Sequence, residues 1–216
     1  EENLLEAART ATYDYSFINN NSEDPSRLEG YLFPDTYEVG MSHLGMKILY
    51  HTINRRSDAW CERVFSPWVD MAELMRANDI PLFSLESRTP ISEFDILGVT
   101  LQYEMSFTNI LDALDLAGIP LRAAERKDGP FVIVGGPCAF NPEPLAPFVD
   151  LVAIGDGEEE THQVIDCYKA WKQSGAPREA FLKEAAKIRG VYVPSLYDIS
   201  YNADGTVASV SPKPDS

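Results

Sequence analysis

The chain has 216 residues, 44% hydrophobic and 11% aromatic, and a formal net charge of −16. That length and apolar content support one buried core with an appendage, and they exclude a disordered or fibrous chain. So acidic a surface disfavours a direct grip on nucleic acid or anionic membrane, because phosphate binding needs a basic footprint, and no apolar stretch is long enough to span a bilayer.

Residues 1–30 read as a separate N-terminal segment. Leu4–Tyr13 has the spacing of a short helix, but Asn19–Ser22 and Asp24–Ser26 are polar and loop-like, so weak packing on the rest is expected. From Tyr31 the rhythm becomes regular. Tyr31–Phe33 is a short strand closed by Pro34-Asp35, and Gly40–Asn54 carries Leu44, Ile48, Leu49, Tyr50 and Ile53 at helical spacing. Arg63–Phe65 is a strand candidate, Asp70–Ala77 a helix with Met71, Leu74 and Met75 inward, and Leu82–Leu85 a further short strand. Asp95–Leu101 is a strand leading into a helix over Ser106–Ala117, with Ser106 placed to cap it.

Two apolar, β-branched runs follow, Phe131–Val134 and Leu151–Ile154, each ending abruptly in glycine at Gly135-Gly136 and Gly155-Asp156-Gly157. Such runs are buried on both faces, as in a parallel sheet covered by helices. A helix over 158–173, another over 180–188, and an alternating stretch over Val191–Val210 turning at Asn202–Gly205 complete the chain. Strands alternating with helices predict a three-layer α/β/α domain over residues 31–175, with a parallel sheet of about five strands. Residues 176–216 form a C-terminal helix and β-hairpin extension.

Ligands of such sheets lie beyond the carboxyl ends of the strands, where glycine lets backbone approach closely. Taken there, the candidate cofactor contacts are Asp35, His43, Gln102, Glu104, Ser106, Gly135, Gly136, Asn141, Gly155, Asp156 and Gly157. The acidic rim at Asp156, Glu158, Glu159 and Glu160 favours a neutral or zwitterionic ligand. Cys61, Cys138 and Cys167 are odd in number and widely spaced, which is neither a disulfide framework nor a metal site and suits a reducing cytoplasm.

The string Phe33-Pro-Asp-Thr-Tyr-Glu-Val-Gly-Met-Ser-His-Leu-Gly45 resembles the first strand and loop of a radical SAM protein family with an N-terminal cobalamin-binding-like domain. Phe83–Ser87, Leu101–Glu104, Thr108–Leu111, Gly135–Pro144 and Gly155–Glu159 continue the resemblance. It implies a flavodoxin-like domain, bacterial and cytoplasmic, that positions cobalamin or substrate for a radical SAM core in cis. The core needs a CxxxCxxC triplet for its [4Fe–4S] cluster and S-adenosylmethionine, and this chain has none, so both belong to the core and the chain is not catalytic alone. A cobalt-ligating histidine is carried as D-x-H-x-x-G. Around His43 the sequence is Met41-Ser-His-Leu-Gly-Met46, without the Asp and with the Gly one place early, so a packed or hydrogen-bonded histidine at a helix start is the competing reading.

The first 38 residues bear a second resemblance. Arg27-Leu-Glu-Gly-Tyr-Leu-Phe-Pro-Asp-Thr-Tyr37 is similar to the active-site segment of endolytic murein transglycosylases, in which the residue matching Glu29 is the general acid/base. Glycan cleavage by Glu29 needs a carboxyl of raised pKa in a formed cleft, and the transglycosylase pattern stops after Val39. Glu29 is otherwise a surface or linker carboxylate. Three functions therefore compete: a cobalamin-domain-like accessory module, a peptidoglycan transglycosylase fragment, and an interaction domain with a vestigial pocket.

Overall fold

The computed structural model describes residues 28–214, so the expectation for the segment before Leu28 lies outside the described residues. Five strands, β1 (Leu28–Phe33), β2 (Trp60–Phe65), β3 (Ile96–Thr100), β4 (Phe131–Gly135) and β5 (Leu151–Ala153), pair in parallel in the order β2-β1-β3-β4-β5. This is the flavodoxin-like doubly wound order, with its switch point between β1 and β3. A two-residue β6 (Val191–Tyr192) adds an antiparallel edge beside β5, making a mostly parallel sheet of six.

The helices are α1 (Tyr37–Gly40), α2 (Leu44–Asn54), α3 (Val69–Ala77), α4 (Phe107–Leu116), α5 (Gly157–Ser174) and α6 (Arg178–Ala185). Strand alternation sorts them into layers. Leu32, Val64, Leu97, Val99, Val132 and Val134 point to one face and pack on Met75 of α3 and Ile110 and Leu114 of α4. Tyr31, Phe33, Cys61 and Phe65 point to the other, against Met46 and Ile53 of α2 and Ile165 of α5. On that same face Ile96, Phe131 and Leu151 meet Val164 and Tyr168 of α5 and Phe181 of α6. The fold is a three-layer α/β/α sandwich.

Several local expectations are corrected. β1 begins at Leu28, so residues 28–30 belong to the sheet and not to a separate segment. The helix expected over Gly40–Asn54 is broken at Met41–His43, where His43 caps α2 instead of lying within it. Leu82–Leu85 is no strand: one antiparallel bridge, Phe83 to Pro90, is all it contributes, because backbone bonds from Leu82 to Leu116 and Leu85 to Arg63 turn it across the sheet edge. The expected hairpin over Val191–Val210 divides into β6 and a separate pair, β7 (Tyr197–Tyr201) and β8 (Val207–Pro212). Ser106 makes no capping bond. Its hydroxyl donates back to the Tyr103 carbonyl at 2.7 Å because a 3₁₀ turn over Glu104–Ser106 leads directly into α4.

A second buried arrangement fixes the edge of the sheet away from the switch point. The Arg126 guanidinium, fully buried, donates to the carbonyls of Pro120, Leu121 and Phe148 and to the Asp150 carboxylate. Asp150 in turn accepts from the Val132 amide at 2.8 Å, so the pair ties the loop after α4 to β4 and β5.

Candidate functional site

A cavity of about 450 Å³ lies between the sheet and the α2/α5 layer, within the size range of small-molecule sites. Its floor is sparse for a definite reason. Side chains facing this layer alternate along the central strands, and two of those positions are glycine, Gly98 of β3 and Gly135 of β4. Above them α2 and α5 touch: a Cβ on Gly157 would stand 3.3 Å from Leu49. The helices thus roof a space that the strands do not fill. Leu49, Ile53, Ile133, Val164 and Ile165 supply apolar walls.

The mouth is at the carboxyl edge and is organised by hydrogen bonds. His43 accepts the Met46 amide on Nδ1 at 3.1 Å, which leaves the proton on Nε2 to donate to Gln102 Oε1 at 3.0 Å. The Gln102 amide then donates to Thr100 Oγ1. His43 is therefore committed on both nitrogens, once to its helix and once to this relay. The arrangement does not fit a His43–cobalt bond.

Three glutamates line the cavity, Glu158 exposed at its rim and Glu160 and Glu29 buried. Glu160, in the first turn of α5, is 6% exposed, and its Oε1 has no hydrogen-bond partner. Burial raises its pKa, outweighing the favourable field of the helix N-terminus. Glu29 lies at the far end. It pairs in register with Ile96, four residues before Thr100 on β3, so it lies about 13 Å below the mouth. It is 9% exposed. Burial pushes its pKa from 4.5 up to about 8; Arg56 opposes the rise, and Asp95 and Asp58 add to it. Glu29 is thus neither a surface nor a linker carboxylate, as the sequence suggested.

Of the residues expected at the strand ends, His43, Gln102, Gly135, Gly136, Gly155 and Gly157 line the cavity. Five do not. Asp35 accepts from the Thr36 amide and the Tyr103 hydroxyl, bracing the rim. Glu104, Asn141 and Asp156 are exposed outside the cavity, and Ser106 is buried beneath the neighbouring loop. Gly136 has a local explanation: its φ is +105°, and a Cβ there would stand 3.0 Å from the Leu101 carbonyl oxygen. Sequence reasoning missed Tyr31, Gly98, Thr100 and the inward Glu160, and it gave Glu29 no place in this pocket. Gly98 interrupting the run Ile96–Thr100 signals a close approach, and the group that approaches is the Tyr31 ring, 3.0 Å from where a Gly98 Cβ would stand.

The structure is a doubly wound α/β domain whose cavity is lined in part by residues of the carboxyl edge of its sheet. Residues 45–194 match the family model described as "Radical SAM proteins, N-terminal", well over half of the chain, and the chain belongs to that family. Uncharacterized protein MJ0966 of Methanocaldococcus jannaschii is 25% identical over 131 residues, covering 59% of this chain and 23% of that protein. Among solved structures, the radical S-adenosylmethionine methyltransferase TsrM from Kitasatospora setae, with tryptophan substrate and the SAM analog aza-SAM bound, is similar at a TM-score of 0.47 and 14% identity. That match covers 83% of this chain and 29% of TsrM. The chain spans less than a third of either relative's length. Among the described residues no helix is long and apolar enough to cross a membrane, and no group of His, Cys, Asp or Glu could hold a metal ion.

Proposed function

We propose that this chain is the cofactor-positioning N-terminal module of a radical SAM enzyme, and that its pocket accepts the tail of a cobalamin-type cofactor at the interface with the core in cis. The observation that carries the reading is the roofed cavity under α2 and α5, open at the carboxyl edge of a domain from this family. Gly135 leaves room for an inserted group, whereas the Tyr31 ring lies over Gly98, and Leu49, Ile133 and Val164 offer apolar contact. Gln102, held between His43 and Thr100, presents a fixed polar rim.

Cobalamin held there supplies group-transfer or radical chemistry at cobalt, while S-adenosylmethionine and the [4Fe–4S] cluster belong to the core. This chain's own residues bind, orient and exclude water. Because both ring nitrogens of His43 are engaged within the protein, the cofactor is held by shape and backbone and not through a histidine–cobalt bond. Glycan cleavage by Glu29 is disfavoured by the same geometry: a polymer needs an open cleft, and this carboxyl is the closed end of a pocket.

Gel filtration of the chain after incubation with cobalamin tests the proposal. Stoichiometric co-elution of the corrin absorbance is the expected result, and its complete separation from the protein peak would overturn the reading.

A further inference from the structure

The closed end of the cavity carries a feature that shape alone does not require. An apolar tail needs only an apolar floor, yet the floor here is a carboxyl. Glu29 is more than nine-tenths buried and lines the cavity, burial and the charges of Arg56, Asp95 and Asp58 act on it, and no side chain among the described residues hydrogen-bonds its carboxyl. A polar group so placed costs free energy unless something completes its hydrogen bonds. Its register partners, Cys61 and Ile96, offer no strong donor or acceptor, and the Arg56 guanidinium, whose field reaches it, is bonded to Asp58 and Asp166. The cavity that Glu29 lines is the side from which a bound group reaches it.

We propose that Glu29 reads the edge of a flat nitrogen heterocycle in which a ring acceptor stands beside a donor, as in an adenine-like base. This rests on the cofactor-pocket reading above and adds the class of base that the pocket selects. A neutral carboxyl presents one O–H donor beside one carbonyl acceptor. That pairing matches the adjacent ring nitrogen and amino group of adenine, as a Gln or Asn amide does. The raised pKa of Glu29 agrees, since it keeps the carboxyl neutral near pH 7. The walls at Leu49, Ile53 and Val164 suit the ring faces. Dimethylbenzimidazole, by contrast, offers an acceptor with no neighbouring donor, and leaves half of the Glu29 carboxyl unpaired.

The test is a set of titrations of the 216-residue chain with three probes: a cobamide carrying adenine as its lower base, cobalamin carrying dimethylbenzimidazole, and free adenosine. The adenine cobamide is expected to bind at least about tenfold tighter than cobalamin, the scale of one buried hydrogen bond left unmade. Glu29→Gln, which keeps a donor beside an acceptor, retains the ratio; Glu29→Leu brings it to about one. Equal affinity of the two cobamides for the unaltered chain overturns the inference and leaves the cofactor-pocket reading standing, as does a ratio that survives Glu29→Leu. Should Glu29→Leu fail to fold, the ratio for the unaltered chain decides alone. If neither cobamide binds, the cofactor reading fails. Adenosine then decides the floor by itself: binding that Glu29→Leu abolishes upholds base recognition, and no binding overturns it.

Discussion

Replacing Glu29 by Gln should remove a specific slope from the stability–pH profile. In the folded chain burial holds the Glu29 pKa at about 8, against 4.5 for an ordinary glutamate. Between those values the folded state keeps a proton that the unfolded state has released, so stability falls as pH rises. The contribution is fully present below pH 4.5 and is lost as pH passes through about 8. At 1.36 kcal/mol per pH unit the window is worth about 5 kcal/mol in all, and about 3 kcal/mol has gone by pH 7. The group is almost fully buried, so solvent screening does not erode the figure much. Gln has the same shape and does not ionise. Urea unfolding of both proteins at intervals from pH 4.5 to 9, with the two free energies subtracted, isolates Glu29, because self-repulsion from the remaining negative charge is common to both. The account expects Glu29→Gln to gain about 5 kcal/mol on the parent across that range. A difference that stays constant with pH would refute the reasoning, since Glu29 would then be ionised and solvated in the folded chain.

Three further outcomes follow from the same geometry. His43→Ala removes the acceptor for the Met46 amide and should cost about 1 kcal/mol in urea unfolding, while the visible spectrum of bound cobalamin stays unchanged; a shifted spectrum would mean that His43 does ligate cobalt. Arg126→Ala removes one of the two guanidinium partners of the buried Asp150 carboxylate and leaves Arg178, and it should destabilise by about 1.5–3 kcal/mol, read as a lower urea midpoint with unchanged slope. Gly136→Val forces a β-branched residue to φ +105° against the Leu101 carbonyl and should cost about 1–3 kcal/mol through the backbone, seen as a lower Tm whether or not ligand is present.

The sheet was legible because its signals are local and redundant. Phe131–Val134 and Leu151–Ile154 are too apolar and β-branched for a solvated element, and terminal glycines marked where each strand stops. The layer on which each strand residue falls followed from alternation alone. Expectations failed where a tertiary partner decided the outcome. Val191-Tyr192 is apolar enough for a strand, but only the free edge of β5 makes it pair there instead of in the hairpin. Leu82–Leu85 has strand composition, and bonds to Leu116 and Arg63 turn it aside. Of the strand-end residues, the glycines Gly135, Gly136, Gly155 and Gly157 line the cavity, while the loop groups Glu104, Asn141 and Asp156 lie outside it. The cavity lies deeper, under α2 and α5, because it depends on what two helices roof over, and periodicity carries no record of that. Glu29 shows the limit most clearly. A segment similar to another family's active site makes it look like a catalytic residue or a stray carboxylate, and only its register beside Ile96 reveals it as the end of a pocket.

The central claim, that a cofactor enters the space above Gly135, is tested most directly by Gly135→Val. Gly136 is the poorer choice because its glycine is already required by the backbone. At Gly135 a Cβ meets the Ala153 Cβ at an ordinary 3.4 Å, so valine fits the strand and its methyls occupy the cavity floor. The account predicts cobalamin binding by the parent chain, loss of that binding in Gly135→Val, and unfolding free energies of the two within about 1 kcal/mol. Equal cobalamin affinity in both proteins would contradict it.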